Sequence, residues 1–311
     1  MGKIAFIFPG QGAQSVGMGR DVYETLPESR EVFEQGNSAL GLKLTDLIFE
    51  GPESELKQTA NTQPALLTTS IAYLRALEAA GVRADYAAGH SLGEYSALVA
   101  AGVLAYEDAV RLVRLRGQFM EEAVPGGQGA MAAVLGAPRE ALAELCRAIS
   151  EEGHAVELAN VNCPGQIVVS GSKEGVSAVG ERVKEIGGKR AIPLEVSGPF
   201  HSSLMKPAAL RLEEELARVQ FRKPAVPVVV NATASAVSDP EELRSLLVKQ
   251  VYSPVLWQDS VEELIQAGVD TFVEIGPGSV LTGLIRKIDR SVKLLNVNSL
   301  ESVGTLRNEL S

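Results

Sequence analysis

Five consecutive residues, Gly89-His90-Ser91-Leu92-Gly93, constrain this chain more than any others. A short apolar segment, Tyr86 to Gly89, precedes them, and an apolar segment of helical character, Leu92 to Ala101, follows. The pattern G-x-S-x-G between a strand and a helix describes a sharp turn that projects the serine hydroxyl from the strand end toward a helix N-terminus. The glycines permit the turn, and the helix end supplies positive potential and free N–H groups. A chain built around such a turn needs a sheet whose strands feed helices.

The rest of the sequence supplies one. Lys3 to Phe8 reads as a buried strand stopped by Pro9-Gly10. A helix is placed to start with Pro64 at its first position and to run to about Ala80, and another spans Glu107 to Glu122. The glycine-rich stretch Gly126-Gly127-Gln128-Gly129 is a joint. Beyond it the pattern becomes strand (Ala130–Leu135), helix (Arg139–Ile149), strand (Val156–Asn160), strand (Gln166–Gly171), helix (Lys173–Ile186), strand (Lys189–Leu194). That β-α-β-β-α-β order predicts a ferredoxin-like subdomain inserted over residues 128–196. After Gly198-Pro199 the alternation resumes with helices at Leu204–Val219, Val261–Ala267 and Leu281–Ile288 and strands at Val226–Val230, Thr271–Ile275 and Leu294–Val297. The expected fold class is α/β, a mostly parallel sheet covered by helices and formed by residues 1–127 and 197–311.

A serine nucleophile at Ser91 needs a base. Three histidines are available. His90 adjoins Ser91 in an extended segment, so the two side chains point to opposite faces. His154 sits in the polar stretch Glu151-Glu152-Gly153 and reads as a surface residue. His201, in Gly198-Pro199-Phe200-His201, remains as the candidate base. The loop Gly10-Gln11-Gly12-Ala13-Gln14 after the first strand is a candidate oxyanion donor beside Leu92. It lacks the third glycine of a dinucleotide fingerprint, since Ser15 stands there. Arg116 falls inside the apolar arc of its helix with Ala109, Leu112, Val113, Phe119 and Met120, while Arg111, Arg114 and Gln118 lie opposite. A guanidinium on an apolar face calls for an anionic partner, either an internal carboxylate or that of a substrate, unless it snorkels to water.

These residues together resemble the malonyl-CoA:acyl-carrier-protein transacylase family: Pro9-Gly10-Gln11-Gly12-Ala13-Gln14, Gly89-His90-Ser91-Leu92-Gly93-Glu94, Arg116 and Gly198-Pro199-Phe200-His201. Ser253-Pro254-Val255-Leu256-Trp257 and Glu274-Ile275-Gly276-Pro277-Gly278 extend the resemblance over nearly the whole chain. It implies a hydrolase-like α/β main domain with a ferredoxin-like insertion, and a malonyl group passed from malonyl-CoA to the phosphopantetheine thiol of an acyl carrier protein, for fatty acid or polyketide elongation. Ser91 is then the acylated nucleophile, His201 its base, Arg116 the clamp on the malonyl carboxylate, and Gln11 and Leu92 the oxyanion donors. Gln250 orients His201 through its carbonyl, and Phe200 is similar to the form in malonyl-selective relatives. No bound cofactor is implied.

Composition narrows the alternatives. Lys and Arg total 29 against 39 Asp and Glu, a net charge of −10 that argues against a nucleic-acid partner. Carrier docking therefore falls to local basic residues, with Lys184, Lys189, Arg190, Arg286, Lys287 and Arg290 as candidates. Two cysteines, Cys146 and Cys163, form neither a disulfide framework nor a zinc pattern. No apolar run reaches membrane-spanning length and no export signal opens the sequence, so a cytoplasmic monomer is expected and the sequon Asn231-Ala232-Thr233 is taken as chance. Two rivals share the motif. A serine hydrolase usually carries an HGGG-type oxyanion loop, absent here, and a non-catalytic scaffold has no need of both Ser91 and His201.

Overall fold

Parallel strands whose two faces are both buried read as continuous apolar runs, and Lys3–Phe8 is one. In the computed structural model, which describes residues 2–310, it is the third strand of a six-stranded sheet. Ten strands are present among the described residues: β1 (Lys3–Phe8), β2 (Tyr86–Gly89), β3 (Gly129–Leu135), β4 (Val156–Cys163), β5 (Gln166–Ser172), β6 (Arg190–Pro193), β7 (Val228–Val230), β8 (Ser235–Val237), β9 (Val269–Ile275) and β10 (Lys293–Val297). The larger sheet has the order β10-β9-β1-β2-β7-β8 and is parallel except for β8, which pairs antiparallel with β7. Along β1, Phe6 and Phe8 join the core on one face while Ala5 and Ile7 join Trp257 and Phe272 on the other.

The register decides where chemistry gathers. Phe8 pairs with Gly89 and Ala88 with Val229, so the loops following β1, β2 and β7 emerge side by side at the carboxyl edge of the sheet.

The second sheet is antiparallel, in the order β4-β5-β3-β6. Helices Arg139–Glu151 and Lys173–Arg182 cover one face and bury Val134, Leu142, Ile149, Val169 and Val179. The opposite face turns Met131, Ala159 and Val168 into the main core. A parallel bridge, Asn160 with Val255, ties β4 to the larger unit.

Several features differ from the pattern read in the sequence, among them β8 and a last helix, Leu300–Leu310, for which that pattern offers no assignment. The helix expected to begin at Pro64 begins at Thr59 and runs to Ala79, with Pro64 inside it. Its first turn is held by tertiary contacts, since the Thr59 N–H donates to Glu121 Oε1 at 2.7 Å. Sixteen of its 21 residues are buried, so packing outweighs the one backbone bond that proline forfeits. Four helices between Arg20 and Leu56, for which the sequence pattern offers no assignment, cover the same face. A further helix, Pro240–Gln250, is also unanticipated, although Asp239 caps it by accepting from the Glu242 N–H and Pro240 occupies its first position. Among the described residues no helix is long and apolar enough to cross a membrane, and no cluster of three or more His, Cys, Asp or Glu is placed to hold a metal ion.

Candidate active site

The turn after β2 leaves no room for side chains on its flanks. A Cβ on Gly93 would meet the Phe8 carbonyl oxygen at 2.0 Å, and one on Gly89 would meet the Gly93 backbone at 2.0 Å. Between them Ser91 takes a left-handed backbone, φ 51°, which a non-glycine residue holds only under constraint from its surroundings. Its Oγ lies 2.7 Å from His201 Nε2. His201 is also left-handed, at φ 57°, and is buried, on the segment that returns from the second sheet.

The imidazole tautomer follows from its neighbours. His201 Nδ1 lies 2.9 Å from the Gln250 carbonyl oxygen, which only accepts, so Nδ1 carries the proton. Nε2 is then free to accept from the serine hydroxyl. Burial and the nearby Arg116 charge push the His201 pKa down to about 3, so the imidazole is neutral at physiological pH.

Arg116, on the helix Tyr106–Glu122, is 1% exposed. Its three acceptors among the described residues are neutral: Gln63 Oε1 at 2.8 Å, Gln250 Oε1 at 3.0 Å and Ser91 Oγ at 3.2 Å. Its buried Nε has no partner among the described residues. The anionic partner expected from the helical pattern is therefore not supplied by direct contact within the protein. Glu94, fully buried below the turn, acts on the guanidinium only through space, and burial pushes its own pKa up to about 7.

Ser91, His201, Arg116, Gln11 and Leu92 line one cavity of about 320 Å³, which Met131 and Asn160 of the second sheet also line. The size suits a small acyl group with part of a thioester arm. The Gln11 and Leu92 N–H groups form no hydrogen bond to another described residue, as donors for a developing oxyanion must. The Gln11 side chain turns away, donating to Thr59 Oγ1 at 3.3 Å. Gln250 lies behind Ser91, where its Nε2 donates to the Ser91 carbonyl at 3.0 Å. Phe200 also lines the cavity. His90 also lines the cavity, but its Nε2 is engaged 2.8 Å from Asn162 Oδ1 and it makes no hydrogen bond to Ser91 Oγ, whereas His154 is exposed and lies outside the cavity.

Sequence reasoning missed Gln63 and Asn231. Gln63 stands beside the Pro64 that was placed at a helix start, and nothing local marks it as facing Arg116. Asn231 accepts from the Ser91 N–H at 2.7 Å and follows β7 directly, and a polar residue at a strand's carboxyl end is a signal in an α/β sheet.

Comparison with known proteins bears on the whole arrangement. Residues 5–311 match the family model described as acyl transferase domain. The malonyl CoA-acyl carrier protein transacylase of Bacillus subtilis (strain 168) is 53% identical over 303 residues, covering 97% of this chain and 96% of the relative. The crystal structure of the enzyme of that name from Clostridium perfringens superposes with a TM-score of 0.95 at 44% identity, over 99% of this chain and 97% of the other. A malonyl-transacylase solved in complex with a type II PKS acyl-carrier protein gives 0.96 at 43% identity, over 99% of both chains. Similarity at this level runs from β1 to the C-terminal helix: the chain belongs to the acyl transferase domain family and is an acyltransferase.

Proposed function

We propose that the enzyme carries malonyl from malonyl-CoA to the phosphopantetheine thiol of an acyl carrier protein through a malonyl ester of Ser91, serving fatty acid or polyketide elongation. The observation that carries the malonyl assignment is Arg116, a buried guanidinium bonded only to neutral acceptors beside the candidate nucleophile. A substrate carboxylate there gives the charge the counter-ion that direct protein contacts do not.

In the first half-reaction His201 Nε2 takes the Ser91 hydroxyl proton while Oγ attacks the thioester carbonyl. The oxyanion forms against the Gln11 and Leu92 N–H groups. The C–S bond then breaks, and the proton on Nε2 passes to the departing CoA thiolate. A thiolate leaves readily, so no stronger acid is needed. The second half-reaction runs the same steps in reverse with the carrier thiol as nucleophile. The Gln250 carbonyl fixes the imidazole tautomer as a carboxylate would but stabilises imidazolium more weakly. The substrate carboxylate offsets this by screening Arg116, the charge that most depresses His201 after burial. No cofactor enters these steps, and one copy of the chain carries every residue named, so a monomer suffices.

The catalytic unit is assigned to residues 1–127 and 197–311 and the inserted ferredoxin-like unit to 128–196. Met131 and Asn160 on the cavity wall support a role for the second unit in shaping the acyl pocket. The carrier is proposed to dock on exposed bases such as Lys287, whose Nζ donates to Gln166 Oε1 of β5 at 3.2 Å. Incubation with malonyl-CoA alone tests the mechanism. One malonyl group should appear on the peptide containing Ser91, and absence of any adduct while transfer proceeds rules out the covalent route.

A further inference from the structure

The turn at Ser91 breaks the ladder that supports it. β2 pairs with β7 at Ala87 with Val228 and Ala88 with Val229, and then the chain swings into the left-handed conformation. The Gly89 carbonyl and Ser91 N–H are left facing the end of β7 with no strand backbone to pair with. The Asn231 side chain meets both. Its Oδ1 accepts from the Ser91 N–H and its Nδ2 donates to the Gly89 carbonyl, each at 2.7 Å. A primary amide offers one acceptor edge and one donor edge, as a peptide group does, so it continues the pairing across the bend.

Asn231 is itself held firmly. Its own N–H donates to Glu94 Oε2 at 2.8 Å, and its carbonyl accepts from the Leu256 N–H at 3.0 Å. It is 0% exposed, which removes the Asn231-Ala232-Thr233 sequon from use in the folded chain. It stands behind the cavity wall formed by Ser91 and Leu92.

We infer that Asn231 is a positioning residue for Ser91: it locks the left-handed turn so that Oγ stays at 2.7 Å from His201 Nε2 and Leu92 keeps its place on the cavity wall. The inference rests on the reading of Ser91 as the acylated nucleophile. Neither Ser nor Thr at this position can span both partners, and Asp loses the donor when ionised.

Two variants separate positioning from folding. The loading rate of Ser91 by malonyl-CoA, followed by rapid quench and intact mass, is expected to fall on the order of 10²-fold in Asn231→Ala, the scale of a misplaced reacting group. KM for malonyl-CoA should change far less than the rate, because Arg116, the proposed carboxylate clamp, makes no hydrogen bond to Asn231. In Asn231→Asp the rate relative to wild type should rise as pH drops from about 8 to about 6, since protonation returns an O–H donor facing Gly89. The Asn231→Ala ratio should stay flat. If Asn231→Ala does not fold, the Asn231→Asp pH ratio decides. A loading rate per folded molecule equal to wild type in both variants, or an Asn231→Asp ratio independent of pH, overturns the proposal. Loading that is absent in wild type, or undiminished in Ser91→Ala, instead overturns the nucleophile reading beneath it.

Discussion

Replacing Arg116 by alanine tests the carboxylate clamp, because malonyl and acetyl differ by one carboxylate. In the wild type, acetyl leaves the guanidinium desolvated and bonded only to Gln63, Gln250 and Ser91. Truncating one partner of a buried hydrogen-bonded charge pair costs about 2–5 kcal/mol. At about 1.4 kcal/mol per factor of ten, that is a malonyl preference of roughly 30-fold to several thousand-fold arising at this one group. Arg116→Ala should therefore lower kcat/KM for malonyl-CoA by a factor in that range. It should leave the slow acetyl-CoA reaction unchanged or raise it, since acetyl no longer strands a buried charge. Arg116→Lys should recover only part, because an ammonium cannot present the two parallel N–H groups of a guanidinium. The assay is kcat/KM for both thioesters on the three proteins. If Arg116→Ala lowers both substrates by the same factor, the residue merely supports Gln63, Gln250 and Ser91, and the clamp is wrong.

Three further outcomes are expected. Ser91→Ala and His201→Ala should each reduce transfer on the order of 10³-fold, and the double variant little further, because the pair acts as a unit; additive losses in single-turnover assays would argue against it. Glu94 has its folded pKa raised from 4.5 to about 7, so its folded form holds a proton that the unfolded chain releases, and stability is lost as pH rises between those values, by on the order of 3 kcal/mol. Glu94→Gln cannot ionise, so in urea unfolding its stability relative to wild type should climb from pH 5 to pH 7 and then level, whereas a constant difference refutes the assignment. Raising salt should slow loading of the carrier more than loading from CoA, and equal slowing of the two half-reactions would remove the electrostatic docking idea.

The elbow was legible in the sequence because its requirements are local. Gly89 and Gly93 are read directly from the chain, and a sharp turn between an apolar strand and a helix admits few other residues. Arg116 was legible as an anomaly, since periodicity alone shows a charge on an apolar helical face. What periodicity left open was the partner. An internal carboxylate, a snorkelling path to water and a substrate all fit the pattern, and only the packed helix, 1% exposed at Arg116 and with Gln63 and Gln250 as neutral neighbours, removes a direct internal carboxylate and a path to water. The helix start at Thr59 and the helix ending at Gln250 show the same limit: the first is set by a contact with Glu121, 62 residues away, and the second, unassigned in the sequence pattern, acquires meaning only once it reaches His201. Asn231 is the sharpest case. In sequence it is half of a sequon; in space it is the amide that pairs with Gly89 and Ser91, 142 and 140 residues earlier. Local chemistry names the candidate nucleophile, but hydrogen bonds that span such separations exist only after the parallel register has brought the ends of β1, β2 and β7 together, and no local pattern encodes that register.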